Sequence, residues 1–261
     1  MSMEIKKVAV LGTGVMGSQI AAHLTNAGIK VFAFDMTQEV ASEGLENCKK
    51  LKPSPYYNFK SSDLITACNY SDHLDRIKEC DWVVEVISER LDWKQELYKK
   101  IIPYLSDDCI VTSNTSGISL QNLSKGLPED FLNKFFITHF FNPPRYMKLV
   151  EIISSDKTNM KLVEIMDYFL TDILGKNVVH AKDTPNFIAN RIGVYGMMVT
   201  LHESKKRKLS IEDVDALTGT LIGRPKSATF RTADVVGLDT MCFVANTAYN
   251  DCEDDPERDI F

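Results

Sequence analysis

The sequence predicts an α/β chain: a doubly wound, mostly parallel sheet across residues 1–182, then a smaller all-helical region across residues 183–261. Three observations lead there. Short β-branched runs alternate with helix-patterned stretches through most of the chain, the rhythm of a parallel sheet covered by helices. A glycine-rich turn follows the first of those runs and opens the first helix. Beyond "AKDTPNF" the strand-like runs stop and only helical periodicity continues.

Taken in order, "KVAVLG", "KVFAFD", "DWVVEVI", "CIVTSN" and "FFITHFF" read as buried strands. Between them, "QIAAHLTNAG" and "LDWKQELYKKIIPYL" repeat apolar residues at helical spacing. The proline- and serine-rich segment Leu51 to Leu64 reads as a loop or the tip of a helical excursion. "KLVEII" adds a strand, a helix runs from about Asn159 to Leu174, and "KNVVHA" follows as another strand. The second region holds a long helix in "NFIANRIGVYGMMVTLHESKKRK", a capped one in "SIEDVDALTG" and a third in "LDTMCFVANTAYND". The last residues, "DDPERDIF", carry no stop signal, so the region looks cut short. An apolar patch exposed near Met241, Phe243 and Val244 is the expected consequence.

Composition narrows the functional classes. At 261 residues the chain can bury a sizeable core. A net charge of -6 argues against a nucleic-acid partner, which would need a basic face. It leaves room for a small anion held at a helix N-terminus. The six cysteines (Cys48, Cys68, Cys80, Cys109, Cys242 and Cys252) are scattered without a C-x-x-C pair, which reads as reduced thiols of a cytoplasmic protein. No apolar run approaches the ~20 residues of a membrane span. The apolar start is broken early by glycines, as a strand entering a turn would be and a signal peptide would not.

The turn "VLGTGVMG" sets Gly12, Gly14 and Gly17 in G-x-G-x-x-G spacing between a strand and a helix, the context of a Rossmann-like dinucleotide site. Asp35 ends the next strand, where a carboxylate accepts hydrogen bonds from ribose hydroxyls and repels a 2′-phosphate, favouring NAD over NADP. "VVEVISERLDWK" sets Glu85 and Glu89 near the carboxyl edge of the sheet. Glu89 and Lys94 either face the cofactor or stand exposed in the first helical turn. "TSNTSGIS" brings Asn114, Thr115, Ser116 and Ser119 to the same edge, as substrate-binding groups or, for Ser119, as an N-cap. Asn190 and Arg191 open the long helix, where capping and docking suit Arg191. In "FFITHFFNPPRYMKLVEII", His139 stands between phenylalanine pairs with Glu151 twelve residues on. Burial disfavours the imidazolium, and a nearby carboxylate opposes that and fixes the proton on one nitrogen, which suits a base near neutral pH. The plainer alternative is a strand-end histidine wetted at its polar edge and a solvent-facing glutamate.

The ordered series GTGVMG, Asp35, VVEVISE with Lys94, SNTS, HFFNP, MKLVEII, KDTPNFIANR and VVGLDT closely resembles the L-3-hydroxyacyl-CoA dehydrogenase family over nearly the whole chain. The stretch "GRPKSATFRTADVVGLDT" departs from the usual pattern and looks like the branch at the front of larger multifunctional fatty-acid oxidation proteins. The resemblance implies NAD-dependent interconversion of (S)-3-hydroxyacyl-CoA and 3-oxoacyl-CoA in fatty-acid β-oxidation. It implies His139 as general base, Glu151 as its orienting partner, Ser116 on the substrate oxygen and Asn190 positioning the thioester end or ordering the pocket. It also implies that Glu89, Lys94 and Asn142 contact NAD, and that the helical region supports a homodimer. Lys49, Lys50 and Lys52 are candidate partners of coenzyme A phosphates. Two alternatives stand beside it: a dehydrogenase of a free 3-hydroxy acid, and a non-catalytic NAD-binding relative such as a lens crystallin.

Overall fold

The computed structural model describes residues 4–261. They form two compact units, the first ending at Asp183 and the second running from Thr184 to Phe261. Eight strands make one sheet in the first unit: β1 (Lys7–Leu11), β2 (Lys30–Asp35), β3 (Ile65–Asn69), β4 (Trp82–Glu85), β5 (Ile110–Ser113), β6 (Phe135–Phe140), β7 (Leu149–Ile153) and β8 (Asn177–His180). Their spatial order is β3-β2-β1-β4-β5-β6-β7-β8. Neighbours are parallel except β6 and β7, which pair antiparallel. The helices of this unit are α1 (Val15–Asn26), α2 (Gln38–Lys49), α3 (Leu91–Ile101), α4 (Leu120–Ser124), α5 (Glu129–Leu132) and α6 (Met160–Tyr168). The strand order reverses between β1 and β4, which opens a crevice at their carboxyl ends, the usual ligand position in such sheets.

The inner strands are β-branched and fully buried because helices cover both faces. On one face Val8, Val10, Trp82 and Val84 pack against Ile20 and Leu24 of α1 and against Met166, Phe169 and Leu170. The Trp82 indole donates to the Thr112 hydroxyl at 2.9 Å, so its polar atom is satisfied inside the core. All six cysteines are unpaired, five of them buried and Cys242 exposed. Burial pushes the thiols of Cys48 and Cys68 up to about 11 and that of Cys109 to about 12, so they stay protonated and inert at neutral pH.

The second unit is helical: α7 (Ala189–Arg207), α8 (Ile211–Thr218), α9 (Phe230–Val236) and α10 (Leu238–Asp251). Ser210 and Asp213 form a reciprocal capping box at the start of α8. Within this unit Arg191 pairs with Asp255 and donates to Cys252 Sγ at 3.1 Å, a structural use of the guanidinium. Among the described residues no helix is long and apolar enough to cross a membrane.

The doubly wound, mostly parallel sheet followed by helices is the architecture the sequence predicts, with local differences. Strand β3 was not among the expected strands: it is an edge strand, part-exposed at Ile65 to Ala67, so it lacks the apolar run that marks the central ones. The segment from Leu51 is loop, closing in a 3-10 turn at Phe59–Leu64. The predicted helix from Asn159 ends its α form at Tyr168 and continues as a π turn, Phe169–Ile173. The long helix starts at Ala189 rather than Asn186, because Asn186 and Phe187 take φ of 61° and 51°. The expected exposed patch is only partly there. Val244 is buried with Val194 and Ala245, and Met198 and Phe261 pack on that cluster, whereas Phe243 remains exposed.

Candidate active site

The site begins at the turn after β1. Gly12 has φ of +103°, and a Cβ there would meet the Val86 carbonyl oxygen at 2.8 Å. A Cβ on Gly17 would lie 1.9 Å from the Gly12 carbonyl oxygen, so this glycine is what lets α1 press onto the turn. Around Gly14 the space where a Cβ would stand holds nothing within 4 Å. Gly14 is also the N-cap of α1 and gives it no side-chain cap. The turn is therefore closed by backbone on its inner side and open on its outer side, with helix N–H groups facing that opening. These residues fit a pyrophosphate.

Asp35 ends β2 beside this turn. Its Oδ2 accepts from the Thr13 amide at 2.8 Å and the Thr13 hydroxyl at 2.7 Å, and its Oδ1 accepts from the Met36 amide at 2.8 Å. A carboxylate has about four acceptor positions, so one remains for a ribose hydroxyl after these three bonds. Thr13 and Gly44 escaped the sequence reading. A Cβ on Gly44 would stand 2.3 Å from the Thr13 carbonyl, so α2 closes on the turn only with glycine there. A glycine in the middle of a helical pattern was the available signal.

Glu85, at the end of β4, is fully buried and saturated. Its Oε1 accepts from Lys94 Nζ at 2.7 Å and the Ile87 amide at 2.8 Å, and its Oε2 accepts from Tyr98 at 2.7 Å and Ser113 at 2.6 Å. It ties α3 and the end of β5 to β4. Lys94 is likewise buried, and also lies 3.3 Å from Glu89 Oε2, so the exposed first-turn alternative fails for Lys94. Glu89 Oε1 in turn accepts from the Thr115 hydroxyl at 2.5 Å and the amides of Ser116 and Gly117 at 2.8 and 2.9 Å. Burial alone would raise the Glu89 carboxyl, but Lys94 and these three donors outweigh it and hold the group below the usual carboxylate range. A chain of charge-assisted bonds thus runs from Glu85 through Lys94 and Glu89 to the loop bearing Ser116. Ser119 accepts from the Asn122 amide at 3.2 Å and is the N-cap of α4.

His139 and Glu151 face each other directly across the β6–β7 register. Both are buried, at 3% and 0% exposure, and His139 Nδ1 lies 2.7 Å from Glu151 Oε2. This excludes the wetted, strand-end alternative. With the Nδ1 proton donated to the carboxylate, Nε2 is the basic nitrogen. The Phe141 ring stands 4.4 Å from the imidazole, centre to centre. Asn142 follows on the same connection, and its Oδ1 accepts from Gln19 of α1 at 3.0 Å. Asn114 binds the Phe140 amide at 2.8 Å and so locks the end of β5 to β6. The glycines, Asp35, Glu89, Ser116, His139 and Asn142 thus all stand at the carboxyl edge of one sheet. Asn190 stands in the first turn of α7, in the helical unit. Lys49 and Lys50 have local partners instead, Glu46 at 2.6 Å and Asn47 at 3.0 Å.

Fold and site together define a dinucleotide-binding protein of dehydrogenase architecture, with a helical unit after its sheet. The chain belongs to the 3-hydroxyacyl-CoA dehydrogenase family: residues 7–184 match that family's NAD-binding domain and residues 187–260 its C-terminal domain. It is 46% identical over 282 residues to a probable 3-hydroxyacyl-CoA dehydrogenase of Bacillus subtilis, an alignment covering 100% of this chain and 36% of that one. It is 44% identical over 250 residues to a probable 3-hydroxyacyl-CoA dehydrogenase of Deinococcus radiodurans, covering 93% and 72%. The crystal structure of (S)-3-hydroxybutyryl-CoA dehydrogenase from Ralstonia eutropha superposes with a TM-score of 0.80 at 27% identity, covering 98% of this chain and 90% of that one. The chain spans little more than a third of the Bacillus relative's length.

Proposed function

We propose that this chain interconverts (S)-3-hydroxyacyl-CoA and 3-oxoacyl-CoA with NAD as hydride acceptor, in fatty-acid β-oxidation. The observation that carries the reading is the buried His139–Glu151 pair, at 2.7 Å and in register across two strands, on the sheet edge that holds the dinucleotide turn. His139 Nε2 takes the proton of the substrate 3-hydroxyl, and the imidazolium that forms is stabilised by Glu151 through Nδ1. Ser116 donates to the substrate oxygen from a loop that Glu89 holds by three hydrogen bonds. Asn190 orders the acyl thioester end. Gly12, Gly14 and Gly17 admit the pyrophosphate, Asp35 accepts from the adenosine ribose, and Glu89, Lys94 and Asn142 complete the cofactor site. Bound NAD supplies the acceptor for the C3 hydride. The free thiols fit a cytoplasmic setting. Ile192, Leu221 and Val235, all more than 65% exposed on the helical unit, suit a homodimer contact.

The test is NADH consumption with acetoacetyl-CoA by the purified chain and its His139→Gln variant. The wild type should turn over, and the variant should lose about 10²–10⁴-fold in kcat. Equal rates would overturn His139 as base. NADH binding without turnover would reduce the chain to the non-catalytic, NAD-binding alternative.

A further inference from the structure

The connection between β6 and β7, residues 141–148, links the strand of His139 to that of Glu151 and carries Asn142. It contains Pro143 and Pro144, which have no N–H to give, so it cannot brace itself with a regular hairpin ladder. Lys176 lies beneath it. This lysine follows Gly175, whose φ of +66° reverses the chain between the π turn and β8. Its side chain is 4% exposed. Its ammonium donates to the Pro144 carbonyl, donates to the Met147 carbonyl at 3.0 Å, and sits 6.0 Å from the centre of the Phe140 ring, the neighbour of His139 on β6. The Asn177 amide adds a bond to the Lys148 carbonyl at 2.8 Å.

Among the described residues no salt bridge involves Lys176, and its neighbours around His23, the neutral imidazole itself and the Arg145 guanidinium, offer it no counter-charge. A buried ammonium without a carboxylate is costly, and an apolar side chain of the same length would fill the space without that cost. What the ammonium does that methionine cannot is hold two carbonyls of one loop. We infer that Lys176 is a positioning residue, whose ammonium clamps the β6–β7 connection and thereby fixes the His139–Glu151 register and the place of Asn142. The inference rests on the reaction proposed above.

The experiment compares wild type, Lys176→Met and the exposed-lysine control Lys161→Met. It reads kcat and KM with acetoacetyl-CoA and amide hydrogen exchange across residues 141–148, on samples whose circular dichroism shows equal folded fractions. The clamp predicts that Lys176→Met loses about 10–100-fold in kcat, with KM for acetoacetyl-CoA changed far less. It also predicts about tenfold faster exchange confined to the connection, with the control unchanged in both. Unaltered exchange at 141–148 in Lys176→Met overturns the clamp whether or not the chain turns over substrate. Normal exchange protection beside an inactive wild type would overturn the proposed reaction instead. Faster exchange with unchanged kcat would overturn the link to His139.

Discussion

At the scale of single residues, the histidine–glutamate pair sets both tautomer and charge. Glu151→Gln keeps the shape opposite His139 Nδ1, but it removes the charge that stabilises an imidazolium, and its amide N–H can donate to Nδ1 and put the proton on Nε2. By analogy with an acid-to-amide change in a catalytic triad, kcat should fall by about 10²–10⁴-fold with KM nearly unchanged. Steady-state kinetics on the variant decide it, and a kcat within about twofold of wild type would mean that Glu151 only packs. This pair was legible in the sequence because each polar residue stands in an apolar strand, where a polar group needs a reason. Thr13 and Gln19 were not. They are ordinary loop and helix residues, and only the fold brings them to Asp35 and Asn142. Thr115 was legible as a hydroxyl at the sheet edge, but its bond to Glu89 was not. Lys94 was legible as a position, but its burial against Glu85 was not, because nothing local tells a first-turn lysine from a solvated one.

At the scale of elements, the three glycines of the first turn have different tasks that substitution can separate. Gly14→Ala adds a methyl where nothing lies within 4 Å, at φ of -63°, which any residue adopts. The fold should survive with melting temperature within a few degrees, while NADH affinity falls about tenfold or more, because the methyl enters the space left for phosphate. Gly17→Ala puts the methyl 1.9 Å from the Gly12 carbonyl, so α1 must shift or the protein unfold. That change should cost about 1–3 kcal/mol or more in stability, as overpacking does. Calorimetry and NADH fluorescence titration on both variants test the contrast, which fails if Gly14→Ala destabilises as much as Gly17→Ala. The element pattern was legible wherever a strand was fully buried and β-branched. It failed at β3, where a half-exposed edge strand shows no continuous apolar run, and at Asn186 and Phe187, where left-handed backbone delays a helix whose periodicity had already begun.

At the scale of the whole molecule, buried titratable groups set the pH range of stability, and His23 governs the acid side. It lies on α1 at 5% exposure, with the Leu174 backbone offering its ring a contact too weak to offset burial. Burial first, then the nearby Lys176 and Arg145 cations, push it down from 6.5 to about 3. The unfolded chain takes up the proton from 6.5 downward and the folded one does not, so stability is fully present above 6.5 and is lost as pH falls toward 3. By about pH 4.5 this amounts to about 2–3 kcal/mol. Lys176, pushed by burial from 10.5 to about 8, acts in the same direction, raising stability between those values. The thiols of Cys48, Cys68 and Cys109, raised from 9.0 to about 11 or 12, act oppositely: unfolded thiols ionise first, so stability falls as pH rises above 9. Stability should be level between about 6.5 and 8, rise up to about 9 where Lys176 acts alone, and fall above that, where the raised thiols, Cys80 among them, outnumber the one lysine. Denaturant unfolding of wild type and His23→Leu across that range and down to about pH 4.5 isolates the histidine. The leucine variant should give up less stability than wild type on acidification, by about 2–3 kcal/mol. A constant difference between the two proteins at every pH would show that His23 keeps a near-ordinary affinity for its proton, and that the acid limb belongs to the carboxylates alone.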